Sequence, residues 1–312
     1  MDSLPANIIL NVPPFFRLHA SGHVERYREH DFVPPSTDPQ NGVVSRDAVV
    51  SPENNLAVRL YLPKSKAAGK LPLLIYIHGG GFSTQSAFSS VYHPYANSLA
   101  ADSNSVVVSI DYRLAPEHPL PACYDDSYAA VKWVGSHSRV GPDPWLNEYA
   151  DFERVYIAGD SAGANIAHDV VVRSAGGSSS PAESLGLKFS GLILIHPFFG
   201  SGEPTKVWDF IYPGSTGPTE FRLIPAADPA RLSRLSCERV MVVVAEKDYL
   251  RDRGQRYYEA LKSSHWKGSV ELFETPGEHV FHLFNPTSEN AISIMNRVSQ
   301  FVNARPRPKS RF

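Results

Sequence analysis

The chain has 312 residues, enough for one large α/β domain or two smaller ones, and its 42% hydrophobic content with 16 Phe and 14 Tyr excludes global disorder. Lysine and arginine number 30 against 32 aspartate and glutamate, a net charge of −2 that gives nucleic acid or an anionic membrane surface no footing. Two cysteines, Cys123 and Cys237, are too few for a disulfide framework and lack metal-ligand spacing; they read as small buried hydrophobes in a reduced intracellular compartment, with no metal expected.

Ile8, Ile9 and Leu10 form a patch too short for a signal segment, and Pro13-Pro14 interrupts it. Residues 1–46 are rich in proline and polar groups, with apolar islands at Val12–Phe16 and His23–Tyr27. Ala48–Val50 and Ala57–Leu62, split by Pro52-Glu53-Asn54-Asn55, read as an antiparallel hairpin. Leu73–Ile77 and Val106–Ile110 are continuous apolar runs, as strands buried on both faces require. Tyr124, Tyr128, Val131 and Val134 mark a helix. The run Arg154–Ala158 reads as a strand, and Ala162–Ser174 as a helix with Ile166, Val170 and Ser174 in helical period. Gly176–Ser180 is a flexible loop. Leu192–Ile195 and Val240–Val244 are further strands, Arg251–Ser263 a helix and Val270–Phe273 a strand. A last helix starts near Thr287 with Ile294, Met295, Val298 and Val302 inward, before a frayed tail at Arg305–Lys309. The C-terminal Ser310-Arg311-Phe312 departs from the peroxisomal Ser-Lys-Leu address in its last position. No run approaches the roughly 18 apolar residues of a membrane helix. The alternation predicts one α/β domain over 1–312, a mostly parallel, doubly wound sheet with an antiparallel edge.

Between the strand ending at Ala158 and the next helix stands Gly159-Asp160-Ser161-Ala162-Gly163, the strand–turn–helix setting of a nucleophile elbow. A serine hydroxyl is a poor nucleophile alone. It needs an imidazole to take its proton, and the imidazole needs a carboxylate to fix its tautomer. Reacting groups of an open parallel sheet lie beyond the carboxyl ends of its strands. There, Val244 is followed by Glu246 and Asp248, and Phe273 by Glu278 and His279, giving the order Ser161, Asp248, His279. Glu246 competes for the acid role, being nearer its strand end, whereas Asp252 reads as the acidic opening of a helix. Asp248 is favoured. His282, past Val280-Phe281, reads as a packed, hydrogen-bonded histidine, and His93, His118, His168, His196 and His265 as structural or surface residues.

His78-Gly79-Gly80-Gly81-Phe82 follows the strand Leu73–Ile77 without any phosphate-cradle spacing. Such a loop lends main-chain N–H groups to an oxyanion; with Ala162, the amides of Gly80 and Gly81 would form a three-donor hole, each donor contributing ~3 kcal/mol in the transition state.

IHGGGF, SIDYRLAPEHPLPACYDD, AGDSAGANIAHD, HPFF, VVAEKDYLRDRG and EHVFHLFNP together resemble the plant carboxylesterases of the hormone-sensitive-lipase group, from about residue 10 to residue 303. The resemblance implies an α/β-hydrolase fold, a cytoplasmic or nuclear location, no cofactor, a small-molecule ester substrate and an N-terminal segment (residues 1–46) packed over the active site as a lid. It supports the same triad and oxyanion donors, and marks Asp111, Tyr112, Arg113 and Glu117 as scaffold residues. Relatives usually carry a longer stretch between Phe199 and Trp208, so a differently shaped acyl pocket is expected here. Three activities occur in the group: ester hydrolysis; elimination or cyclisation, as in 2-hydroxyisoflavanone dehydratase; and hormone binding, as in the gibberellin receptors. Val207–Pro213 is similar to the dehydratase branch, but that branch typically has threonine where Ser161 stands; the receptors lack the histidine that is present here as His279. Phe15, Phe16, Phe82, Trp208, Phe210 and Val280 are candidate lining for an apolar or aromatic ester.

Overall fold

The computed structural model describes residues 7–28, 31–37, 41–64, 69–175, 185–202 and 206–304; the loop expected at Gly176–Ser180 and the frayed tail expected at Arg305–Lys309 lie outside the described residues. Near the start, β1 (Ile8–Val12), β2 (Phe16–His19) and β3 (Val24–Arg26) pair antiparallel in a separate three-stranded sheet. Sequence reasoning found only apolar islands in this stretch. The strands are short and mostly half-buried, so their alternation is weak.

Next, β4 (Val43–Ser51) and β5 (Leu56–Pro63) form the expected hairpin, turned by a left-handed Asn55 at φ 51°. The parallel strands follow as β6 (Leu71–Ile77), β7 (Val106–Asp111), β8 (Ala150–Asp160), β9 (Phe189–Ile195), β10 (Arg239–Ala245) and β11 (Ser269–Thr275). Together they make an eight-stranded sheet in the order β11-β10-β9-β8-β6-β7-β5-β4, parallel except for β4 and β5 at one edge. Every apolar run read as a strand lies within one of these.

All seven residues of β6 are buried because both sheet faces are covered. Leu73, Ile75 and Ile77 join the apolar cluster under α2 (Ala122–Ser136), α3 (Pro144–Tyr149), α4 (Ala162–Ala175) and α7 (Arg251–Ser263). Leu74 and Tyr76 join the opposite cluster, under α1 (Tyr92–Ser103), α8 (Phe281–Phe284) and α9 (Glu289–Asn303). Between β9 and β10 lie the short α5 (Lys206–Ile211) and α6 (Pro229–Leu232). No helix among the described residues is long and apolar enough to cross a membrane.

The strand order decides where a site can form. β6 has β7 on one side and β8 on the other, so the connections leaving β6 and β8 diverge and open a crevice at their carboxyl ends. The chain places His78–Gly81 and Gly159–Gly163 at this switch point.

Candidate active site

Ser161 occupies the turn between β8 and α4 at φ 50°, a strained conformation for a residue with a Cβ. The turn is tight because its neighbours are glycines. A Cβ on Gly159 would collide with the Gly163 carbonyl, and one on Gly163 with the carbonyls of Ile77 and His78. Main-chain bonds hold the turn from below: the Ser161 amide donates to Ile195 O at 2.9 Å, and its carbonyl accepts from the Phe198 amide at 2.9 Å.

The side chain of Ser161 meets the ends of two further strands. Ser161 Oγ lies 2.9 Å from His279 Nε2, and His279 Nδ1 lies 2.8 Å from Asp248 Oδ2. The Asp248 side chain is fully buried, and its Oδ1 accepts the Leu250 amide at 2.8 Å. A buried carboxylate can only accept, so Nδ1 carries the imidazole proton and Nε2 is left to accept from the serine. Glu246 is exposed, as is Asp252, which stands in the first turn of α7.

The glycine loop after β6 adjoins the serine turn. Gly80 and Gly81 have φ of 102° and 60°, and a Cβ on Gly80 would overlap the Thr84 carbonyl. Their amides have no acceptor among the described residues, and the Ala162 amide is the first N–H of α4. Asp160, missed by sequence reasoning, ties the loop to the serine turn. Its buried carboxylate accepts from the Gly79 amide at 3.1 Å, Tyr76 OH at 2.7 Å and Tyr92 OH at 2.8 Å. Burial raises its carboxyl pKa, and these donors pull it back. Tyr112 OH donates to His78 O at 2.8 Å while its ring stacks on the His78 ring at 4.2 Å. Asp111 accepts from Ser86, Arg113 grips Asp126 with two nitrogens, and Arg26 of β3 does the same to Glu117 while donating to Ser83 O.

The expected lining residues divide. Phe82 and Trp208 are buried at 5.9 Å from each other, with Phe198 against both at 5.6 and 6.3 Å. This aromatic cluster adjoins the site through Phe82, which follows Gly81, and Phe198, whose amide binds Ser161 O. Phe16 is wholly buried in the core, whereas Phe15 meets the glycine loop: a Cβ on Gly81 would stand 2.5 Å from its Cε1. Phe210 is exposed on α5, and Val280 packs against the cluster under α8 and α9.

Two histidines depart from expectation. His282 is packed but not hydrogen-bonded: neither ring nitrogen has a partner among the described residues, and burial, with His279 nearby, depresses its pKa to about 3. His196, read as structural or surface, lies inside the site, its ring 6.0 Å from that of His279 and its Nδ1 accepting the Val280 amide at 2.9 Å. His196, Asp248 and His279 bring ligand-type atoms within 4.8 Å of one another, but the hydrogen bonds just described already engage them. Tyr249 is exposed with its ring 5.2 Å from that of His279. His196 and Tyr249 stand in the motifs HPFF and VVAEKDYLRDRG, but sequence reasoning assigns neither to the site.

The chain is similar to known proteins. A family model described as alpha/beta hydrolase fold matches residues 74–284. The sequence is 43% identical to probable carboxylesterase 13 of Arabidopsis thaliana, across 97% of this chain and 99% of the relative. It is 42% identical to 2-hydroxyisoflavanone dehydratase of Glycyrrhiza echinata, across 93% and 95%. The structure superposes on a hyperthermophilic esterase from the archaeon Pyrobaculum calidifontis with a TM-score of 0.65 at 28% identity, covering 83% of this chain and 84% of that one.

Proposed function

The chain belongs to the α/β-hydrolase family and is a carboxylic ester hydrolase, and on that premise we propose that Ser161, His279 and Asp248 hydrolyse a small-to-medium apolar or aromatic ester through an acyl-enzyme. The observation that carries this is the relay from Asp248 Oδ2 through His279 to Ser161 Oγ, in contacts of 2.8 and 2.9 Å, on a serine held at φ 50°. Ser161 Oγ attacks the ester carbonyl carbon as Nε2 of His279 takes its proton. The carbonyl oxygen becomes an oxyanion facing the amides of Gly80, Gly81 and Ala162. Collapse expels the alcohol, protonated by His279, and leaves Ser161 acylated. Water then repeats the sequence and releases the acid. The cluster of Phe82, Phe198 and Trp208 beside the serine supports an apolar or aromatic acyl or alcohol group. Cys123 and Cys237 are both free and buried, which fits a reducing compartment such as the cytoplasm.

The test is turnover of p-nitrophenyl esters of graded acyl length by wild type and Ser161→Ala. The proposal expects hydrolysis by the first and none above background by the second; an unchanged rate in the variant would overturn it. The likeness to a dehydratase supplies a second reading, in which His279 and the oxyanion donors serve water loss from a carbonyl compound without acylation. Incubation with a 2-hydroxyisoflavanone, followed by mass analysis for loss of water, separates the two.

A further inference from the structure

Val280, directly after His279, has φ 48°, a left-handed conformation that β-branched residues almost never adopt. Such a conformation persists only where the surroundings over-determine it. Here the Val280 amide is captured at 2.9 Å by Nδ1 of His196, whose side chain is fully buried. His196 is itself fixed: it follows β9, its own amide donates to Val243 O of β10 at 2.8 Å, and its ring meets His282 edge-on at 5.4 Å. Its Nδ1 is also 4.0 Å from Asp248 Oδ2, a distance that suggests an ion pair. Yet a nitrogen that accepts an N–H carries no proton, so the ring is neutral and this contact is not one. Burial and the neighbouring His282 hold the pKa of His196 well below the usual imidazole value, in keeping with that tautomer.

We infer that His196 is a positioning residue for the catalytic histidine: by accepting the Val280 N–H it fixes the left-handed turn that holds His279 Nε2 2.9 Å from Ser161 Oγ. The inference rests on the triad proposed above. It treats His196 as a main-chain acceptor, not as core filling, and the two roles separate by isosteres. His196 itself stands at φ 46°, so asparagine, which tolerates a positive φ and places Oδ1 where histidine has Nδ1, keeps both the turn and the acceptor, whereas leucine has the same branching and no acceptor.

The experiment compares kcat and KM of wild type, His196→Leu, His196→Asn and a protein whose Val280 amide is replaced by an ester, which deletes the N–H and leaves His196 untouched. His196→Leu and the Val280 ester should each lose about 10- to 100-fold in kcat with KM nearly constant, the scale of a misplaced catalytic group. His196→Asn should recover most of that loss. Should His196→Leu fail to fold, the Val280 ester alone decides. Full kcat in the Val280 ester, or an Asn variant as impaired as the Leu variant, would overturn the inference. A Ser161→Ala control keeps the levels apart: activity surviving there defeats the triad, whereas loss there with full kcat in the Val280 ester defeats only the role of His196.

Discussion

Asp248→Asn is the sharpest perturbation of the relay, because both oxygens of Asp248 are in use. Oδ2 accepts from His279 Nδ1 and Oδ1 from the Leu250 amide, each at 2.8 Å. Asparagine has one acceptor oxygen and one NH2 group, so one contact must become donor against donor. The Leu250 amide is buried and cannot change its proton; leaving it unpaired costs about 1–3 kcal/mol. His279 can instead move its proton to Nε2 and accept the new NH2 through Nδ1. That orientation wins, and it points an N–H at Ser161 where a base is needed. A triad in the wrong tautomer loses about 10⁴ in kcat, equivalent to about 5.4 kcal/mol of barrier. We therefore expect kcat on p-nitrophenyl butyrate to fall about 10³- to 10⁴-fold, with KM and melting temperature nearly unchanged. Glu246→Gln, at an exposed position, should stay within about two-fold of wild type. A loss under ten-fold in Asp248→Asn, or an equal loss in Glu246→Gln, would refute this assignment of the acid.

Gly81→Ala sets a Cβ against the Phe15 ring at a left-handed position and should displace one oxyanion donor, lowering kcat about 10²–10³-fold; Phe15→Ala in the same chain should restore part of it, and additive losses in the double variant would contradict the clash. His168 is caged by Phe199, Phe221 and Tyr257, and burial depresses its pKa to about 3. The unfolded imidazole titrates near about 6.5, so on acidification the unfolded chain binds the proton first; this stability is complete above that pH and is lost as pH falls towards 3. Between pH 7 and 5 the loss is about 2 kcal/mol, and His168→Leu should flatten the urea-unfolding profile by that amount. An identical slope in the variant would contradict a neutral buried imidazole.

The sheet and the relay were legible in the sequence for one reason: each depends on a strand and on what directly follows it. Continuous runs such as Leu73–Ile77 arise because a strand covered on both faces has no polar side to show. The residues after β6, β8, β10 and β11 then have only one place to go. Other features were hidden by chemistry that breaks the pattern. α1 buries His93, Asn97 and Ser103 beside its apolar residues, so its periodicity is masked, and no helix was expected there. At the entry to β2, the side chain that enters the core is Phe16 and the one on the glycine loop is Phe15, a one-residue choice that no pattern fixes. Asp160 and His196 act through main-chain amides of Gly79 and Val280, partners far away in sequence, and a motif cannot announce such a bond.

The most direct test of the central claim is covalent capture of the nucleophile. Treatment with a serine-directed fluorophosphonate, followed by intact-mass and peptide analysis, should give one adduct per chain, on Ser161, with parallel loss of esterase activity. Ser161→Ala should take up none. An adduct at another residue, or inactivation of wild type that leaves Ser161 unmodified, would contradict the account.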